Sequence, residues 1–504
     1  MNSVAGVTLQ GIKAFPVEIE VETTGGLFMI SVVGLPDTAV REARERVRAA
    51  LRSVGIKVKG RVAVNLAPAD IPKEGALLDL PMAVGIACSQ AGLKVKQPSL
   101  FLGELALDGR LRAVRGAVPA AFLAKEKNLV LYVPADNAEE VGLVEGVTAY
   151  AVPDLKSLLG HLRGESELGR IGRTMPADSV PPADPDLSDI KGQTVAKRAL
   201  EIAAAGHHNI LFVGAPGSGK TMLAKALQGI LPPLSNTEMM EVLQLTSTAG
   251  IQMQNLRQRP FRSVHHTASA VAICGGGANM RPGEISLASR GVLFFDEFPE
   301  FSRDVLEALR QPLEDGYMTV SRAAGSVVYP AKVLMVAACN PCPCGYAGDP
   351  VEHCTCTPSA IARYNRKLSG PILDRIDLHV SVPRLTPEEL VAIEGKCGET
   401  SAEVRKRVTA ARKIQAERWE QFGFQCNSEI PERLLRRSAN IKPEVKDFLL
   451  AAVNRVRLSG RGISRVLRVA RTIADIEASP RIEIQHVSEA LSYREGEVLS
   501  WMKN

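Results

Sequence analysis

Residues Gly214-Ala-Pro-Gly-Ser-Gly-Lys-Thr221 fit the pattern G-x-x-x-x-G-K-[ST]. The apolar run Ile210–Val213 before them reads as a buried parallel strand, and Met222-Leu-Ala-Lys-Ala-Leu227 after them as a helix. A phosphate-binding loop needs that strand–loop–helix order. Its glycines let backbone N–H groups close on phosphates, and the helix N-terminus adds its positive dipole end. Gly214, Ala215, Pro216, Gly217, Ser218, Gly219, Lys220, Thr221 and Met222 are therefore the expected lining of a nucleotide. Lys220 would reach the β- and γ-phosphates, and the Thr221 hydroxyl would ligate Mg²⁺. A chance Gly-rich turn is the bland alternative, and the flanking strand and helix weigh against it.

Gly291-Val-Leu-Phe-Phe-Asp-Glu297 is an apolar strand ending in two acids. Asp296 is expected to hold the Mg²⁺ of the bound nucleotide, and Glu297 to polarise the attacking water. Acid pairs at strand ends are common; their place 76 residues after Lys220 gives this one meaning. The next apolar strand, Val333 to Cys339, ends in Asn340, whose amide can orient the water or sense the γ-phosphate, or simply start a turn before Pro341. In Ser369-Gly-Pro-Ile-Leu-Asp-Arg-Ile-Asp377, Arg375 stands between two acids. It either pairs locally with Asp374 or Asp377, or reaches a neighbouring subunit's γ-phosphate, where such a finger raises the rate by roughly 10³–10⁵.

The chain has 504 residues, 45% apolar and 23% charged, which suits about three globular domains. No apolar stretch approaches the ~18 residues of a membrane span. The N-terminus alternates like a strand and lacks the build of a signal peptide. Five of the nine cysteines lie between Cys339 and Cys356, which looks like a metal site rather than a disulfide framework. A cytoplasmic location is expected. The net charge is +6: Ser401–Asn504, with 20 Lys and Arg against 13 Asp and Glu, carries +7 and the rest of the chain −1. A basic C-terminal region on a near-neutral body permits polyanion binding.

Pro, Gly and charge without apolar periodicity mark residues 164–185 as a linker. Ahead of it, residues 1–163 alternate strand-like and helix-like runs, an α+β or α/β pattern. Residues 186–385 read as a parallel sheet with helices, and 386–504 as almost purely helical.

Taken together, these motifs resemble AAA+ ATPases, and more narrowly the magnesium-chelatase-like branch. Arg262-Ser-Val-His-His266, Arg281–Leu287, Gln311-Pro-Leu-Glu-Asp-Gly316 and Asn340-Pro-Cys-Pro-Cys-Gly345 are phrases of that branch. Val32–Leu51 and Asn65–Ala83 further resemble the front of the ComM/YifB family. The resemblance covers essentially the whole chain. It implies a P-loop AAA+ core with a C-terminal helical lid, using ATP and Mg²⁺ in homo-hexameric rings. It also implies branch-migration helicase activity on DNA recombination intermediates, notably in natural transformation, with a recombinase or loading protein as a further partner. Ile190-Lys-Gly-Gln193 fits the segment that borders the adenine, and His207 and His208 would lie nearby or in solvent. AAA+ lids place an Arg at a helix start to touch the γ-phosphate in cis; Arg461 fits that pattern best and Arg465 second. A chelatase motor subunit and an ATP-driven protein remodeller are the rival readings.

The front domain also resembles the Lon proteolytic domain, which uses a Ser/Lys dyad. Here Leu77 stands at the nucleophile position and Val118 at the base position. Without hydroxyl or amine, covalent catalysis cannot start. Similar inactive domains in the RadA branch-migration proteins serve assembly and DNA passage, so residues 1–163 are expected to act as a ring-forming or DNA-channel platform.

Cys342-Pro-Cys344 and Cys354-Thr-Cys356 supply four thiolates, enough for a tetrahedral zinc site. His353 is an alternative ligand, and unliganded thiols are the bland reading. Tyr317–Arg322 and Val327–Lys332 flank a Gly-containing turn and predict a β-hairpin. In related machines such a hairpin points into the ring pore, which makes Arg322 and Lys332 candidate DNA phosphate contacts. The loop Cys274–Arg281 is a second candidate pore element. A structural role for the hairpin is the alternative.

Overall fold

In the computed structural model the described residues are 2–73, 75–176, 180–277, 280–322, 325–349, 351–368, 370–385, 398–438, 441–456 and 458–495. The front region forms strands β1 (Asn2–Gln10), β2 (Lys13–Thr24), β3 (Met29–Val33), β4 (Arg61–Ala67), β5 (Ser99–Phe101), β6 (Glu104–Leu105), β7 (Leu111–Arg112), β8 (Val130–Pro134) and β9 (Thr148–Val152). Seven of them make a mixed sheet in the order β3-β4-β2-β1-β5-β8-β9, while β6 and β7 pair separately. Alternation gives the sheet two buried faces. Phe101 and Tyr132 face the helices Thr38–Ser53 and Asp79–Ala91, and Leu100, Leu131 and Val133 face the helix Ala117–Glu126.

The segment 164–185, expected as a free linker, is in part bound to this sheet. Ala151 N–H donates to the Gly169 carbonyl at 3.1 Å, and Ile171 N–H to that of Ala149 at 2.8 Å, so residues 169–171 cover the β9 edge. Polar composition hid this because an edge cover pairs through its backbone.

The middle region forms β10 (Ile210–Val213), β11 (Phe261–Val264), β12 (Val292–Phe295), the hairpin β13 (Tyr317–Arg322) and β14 (Gly325–Pro330), then β15 (Leu334–Cys339) and β16 (Leu378–Ser381). A five-stranded sheet runs β11-β12-β15-β10-β16, with every neighbouring pair parallel. Sheets covered on both faces need continuous apolar strands, as ILFV, VLFF and LMVAAC are. Phe212, Phe294 and Val336 pack one way, onto the helices Thr194–Gly206 and Lys220–Ile230. Leu211, Phe295 and Met335 pack the other way, onto the helix Arg303–Ala308.

The C-terminal helices Ser401–Trp419, Glu432–Ser438, Pro443–Val456, Gly460–Ile476 and Ile484–Glu495 share the first of these cores. Among the described residues no helix is long and apolar enough to cross a membrane.

The front region rests on the core at two places. Gly116 N–H donates to the Ser247 carbonyl at 2.8 Å and Val118 N–H to the Ser247 hydroxyl at 3.3 Å. The β1–β2 turn packs Ile12 beside Val320, Val327 and Tyr329 of the hairpin. Gly11, at φ +64°, lies so close to Val327 that a Cβ would come within 2.4 Å of it.

One buried ion pair anchors the helix Asn236–Ala249. Glu238 accepts from Arg259 at 2.9 Å and from the N-cap amide of Ser235 at 3.1 Å. Burial opposes its ionisation, but Arg259 and the cap outweigh burial and bring its pKa from 4.5 to about 2. A depressed folded-state value stabilises fully above the unfolded pKa and loses that stabilisation as pH falls through the folded one. Glu238→Gln should therefore cost about 3 kcal/mol at pH 7. The gap from wild type should close between pH 4.5 and about 2. Urea titrations at neutral and acidic pH check both statements.

Candidate functional site

The phosphate loop leaves β10 with Gly214 held by Cys339, whose carbonyl accepts its N–H at 3.2 Å. Gly217 and Gly219 take φ of +76° and +94°, the left-handed conformations that turn the chain into the helix Lys220–Ile230. Lys220 is buried, and its Nζ donates to the carbonyls of Gly214 (2.7 Å) and Ala215 (2.9 Å) and to Asn340 Oδ1 (3.3 Å). Burial lowers its pKa. Thr221 Oγ1 donates to Asp296 Oδ2 at 3.2 Å. Lys220, Thr221, Asp296 and Asn340, spread over 120 positions, thus converge at the C-terminal ends of β10, β12 and β15.

Glu297 has a left-handed backbone, φ +49°, strain that marks functional turns. Its Oε2 lies 3.1 Å from His266 Nδ1 at the end of β11. Ile190 is buried nearby: Gln193 Nε2 donates to the Ser218 carbonyl at 3.4 Å and to that of Pro383 at 2.7 Å, which ties the segment to the loop. Met222 is exposed on the helix's first turn.

The residues fit a polyphosphate and its cation. The buried Ser218 hydroxyl has no partner, and the buried Lys220 ammonium donates only to neutral oxygens. An anion there would complete both. Asp296 and Thr221 are the oxygen ligands that would hold Mg²⁺.

Arginines expected at this site lie at the opposite end of the sheet. Arg375 is buried, with Nη2 2.5 Å from Glu314 Oε1 and Nη1 donating to the Pro371 carbonyl at 2.6 Å. The expected local partners, Asp374 and Asp377, are thus replaced by Glu314. Arg461 Nη1 lies 3.7 Å from the same Glu314 oxygen. Arg461 thus stands beside Glu314 near the strand starts, whereas Lys220 stands where β10 ends. Arg465 is likewise committed, at 2.5 Å from Asp377. His208 is not near the loop either; it is buried, 2.8 Å from Thr472 and 3.4 Å from Asp377. His207 and Arg461 line a cavity of about 570 Å³ at this end.

The hairpin forms in register, Tyr317 opposite Pro330 and Arg322 opposite Gly325. Arg322 is at its tip, and its side chain lies outside the described residues. Lys332, the other candidate phosphate contact, falls two residues beyond the base, 3.6 Å from Glu429. In the loop Cys274–Arg281, Gly275, Gly276 and Gly277 all have positive φ. Leu77 and Val118 are buried apolar side chains in the front region.

The four cysteines converge. Sγ of Cys342, Cys344, Cys354 and Cys356 lie within 4.8 Å of one another and could hold a metal ion. Cys339 is apart from them, buried in β15, where burial pushes its thiol up to about 12.

Several working parts carried no sequence signal of their own. Glu314, His266 and Gln193 sit in motifs legible as phrases, yet only the fold gives them partners. Asn209 was silent: it bonds the Arg375 carbonyl, the Met335 amide and the Asp377 carboxylate, aligning three strand starts.

Fold and site define a phosphate-loop protein with a magnesium-chelatase-type α/β core. Residues 186–390 match the family model for magnesium chelatase, subunit ChlI; residues 19–137 match that for subunit ChlI of Mg-chelatase, and 398–494 that for the ChlI C-terminal region. Competence protein ComM of Haemophilus influenzae is 43% identical over 96% of this chain and 95% of its own. YifB of Escherichia coli is 44% identical over the same shares. The magnesium-chelatase 38 kDa subunit of Rhodobacter capsulatus is 26% identical over 61% of this chain and 87% of its own. The chain belongs to the ComM/YifB family of magnesium-chelatase-like proteins.

Lys220→Ala should reduce affinity for a fluorescent ATP analogue by at least about a hundredfold, the loss of a charge-assisted phosphate contact in a buried site. Thr221→Val should keep nucleotide binding and lose most of its Mg²⁺ dependence. Titrations with and without EDTA separate the two.

Proposed function

We propose that the protein is an ATP-hydrolysing DNA motor that works as a homo-hexameric ring and moves branches in recombination intermediates. One observation carries the reading: Lys220, Thr221, Asp296 and Asn340 meet at the C-terminal ends of the strands, while Arg375 and Arg461 share Glu314 near the strand starts. A single chain cannot bring Arg375 or Arg461 to its own Lys220, so a neighbouring copy is the natural source.

In that arrangement Lys220 holds the β- and γ-phosphates, and Thr221 and Asp296 hold the Mg²⁺, which neutralises charge developing on the transferred phosphoryl group. Glu297, positioned by His266, orients the attacking water, while Asn340 senses the γ-phosphate. Arg375 leaves Glu314 to stabilise the neighbour's transition state, and Arg461, at the same carboxylate, joins it. Arg322 at the hairpin tip supplies a sequence-independent phosphate contact.

The front domain acts as a platform of inactive Lon-like type, since buried Leu77 and Val118 leave no nucleophile and no base. The C-terminal helices act as a relocated lid. The four cysteines hold zinc as a structural thiolate site. The free state of every described cysteine accords with a cytoplasmic protein. A competence protein among the relatives points to natural transformation as the setting, with a recombinase or loading protein as a further partner.

The test is ATP hydrolysis with and without single-stranded or three-strand junction DNA, together with strand displacement. DNA stimulation with displacement supports the motor. Hydrolysis indifferent to DNA moves the weight to a chelatase-type motor subunit or a protein remodeller. Glu297→Gln should bind ATP and lose at least about 10²-fold in hydrolysis. Arg375→Ala and Lys220→Ala chains should each be inactive alone and regain part of the activity when mixed. Mixed rings as dead as their parents would overturn catalysis between subunits.

A further inference from the structure

We propose that the four-cysteine site buttresses the phosphate loop, so that a thiolate-bound divalent ion and nucleotide favour each other's binding. The inference rests on the reading of Gly214–Thr221 as an ATP site.

The sulfurs are placed for a tetrahedral ion. Bonds of about 2.3 Å to four thiolates require sulfur separations of about 3.8 Å. Cys342 Sγ lies 3.3 Å from Cys344 Sγ and 3.7 Å from Cys354 Sγ, and Cys344 and Cys354 are 3.6 Å apart. These separations are far beyond the ~2.05 Å of a disulfide. Backbone amides complete the shell: Cys344 N–H points at Cys356 Sγ (3.4 Å) and Ala347 N–H at Cys342 Sγ (3.3 Å). Such donors stabilise sulfur that carries negative charge, as metal-bound thiolate does. All-thiolate tetrahedral ligation selects soft ions, zinc foremost.

The site is joined to the nucleotide end by two routes. Cys342 follows Asn340 by two residues, and Asn340 Oδ1 accepts from Lys220. The turn that Gly345 N–H closes on the Cys342 carbonyl at 3.0 Å lies directly on the loop. A Cβ on Gly345 would come within 2.6 Å of Pro216 Cδ and 2.7 Å of Cγ. No other residue fits there, and φ of +91° excludes others a second time. Beyond Cys356, Thr357 caps the helix Pro358–Asn365, and the buried Tyr364 of that helix lies beside the backbone of Asn340.

An ion on the four sulfurs therefore closes a ring of structure that contains both Asn340 and the turn supporting Pro216. Without it, two C-x-C arms nine residues apart would have to be held by loop contacts alone, and the support under Pro216 would lose its definition. Coupling between two ligands is reciprocal and spans about 5- to 150-fold.

The experiment uses the full-length chain as purified, with zinc measured directly. One zinc per chain is expected. Excess non-hydrolysable ATP analogue should slow zinc release to a chromogenic chelator, and zinc removal should weaken fluorescent ATP-analogue binding by about tenfold. Gly345→Ala retains all four thiols and should keep its zinc while losing nucleotide affinity, which separates coupling from loss of the fold. Zinc and nucleotide binding side by side with no mutual effect would overturn the coupling and leave the ATP site standing. Nucleotide binding with no zinc would overturn it as well. Failure of the zinc-loaded chain to bind nucleotide at all would sink both readings.

Discussion

The buried carboxylate of Asp377 fixes where everything else in the nucleotide machinery can stand. It sits just before β16, accepts the Asn209 amide, faces His208, and pairs with Arg465 of the helix Gly460–Ile476. Burial would raise its pKa, but Arg465 and His208 outweigh burial and hold it well below the carboxylate range. An ion pair this deep must be satisfied on every side, since removing one partner of such a pair costs roughly 3–5 kcal/mol. The consequence is positional. The C-terminal helices are locked onto the strand starts, and their arginines are carried away from the phosphate loop of the same chain.

This placement explains what the sequence could and could not say. The phosphate loop, the DE strand end and the Asn340 strand were legible because each is a local pattern, an apolar strand followed at once by its functional residue. The convergence of Lys220, Thr221, Asp296 and Asn340 follows from parallel strands whose C-terminal ends share one edge. The surroundings of Arg461 were not legible because a helix start announces a cap and a face but not which end of the sheet it will meet. Glu314 is the carboxylate that Arg461 meets there, and although its phrase Gln311–Gly316 was legible, only the fold gives it that partner. The strand expected over Val327–Lys332 ended early for a smaller reason. Strand propensity ran past Pro330, while hydrogen-bond register ended the hairpin there.

The hairpin is also less independent than its sequence suggests. Val320, Val327 and Tyr329 share a small core with Ile12 from the front region and Leu245 from the core, and the Tyr329 hydroxyl donates to the Met280 carbonyl at 2.6 Å. Met280 lies within the Gly-rich loop Cys274–Arg281, the expected second pore element. Front turn, hairpin and Gly-rich loop therefore share one packed contact. A packed contact transmits displacement, because interiors are dense and yield little before they rearrange.

The same logic bears on Lys220. A buried ammonium bonded only to carbonyls and an amide is desolvated more than the nearby Asp296 charge offsets, which lowers its pKa and raises the free energy of the empty site. An arriving phosphate gains from removing that penalty as well as from its own contacts. Lys220 already gives its three donors to the Gly214 and Ala215 carbonyls and to Asn340 Oδ1, so a phosphate on its Nζ would displace one of these acceptors. Arg375 presents the mirror case: it is a buried guanidinium whose charge is met by the Glu314 carboxylate 2.5 Å away, so the proposed service to a neighbouring copy would require it to give up that partner.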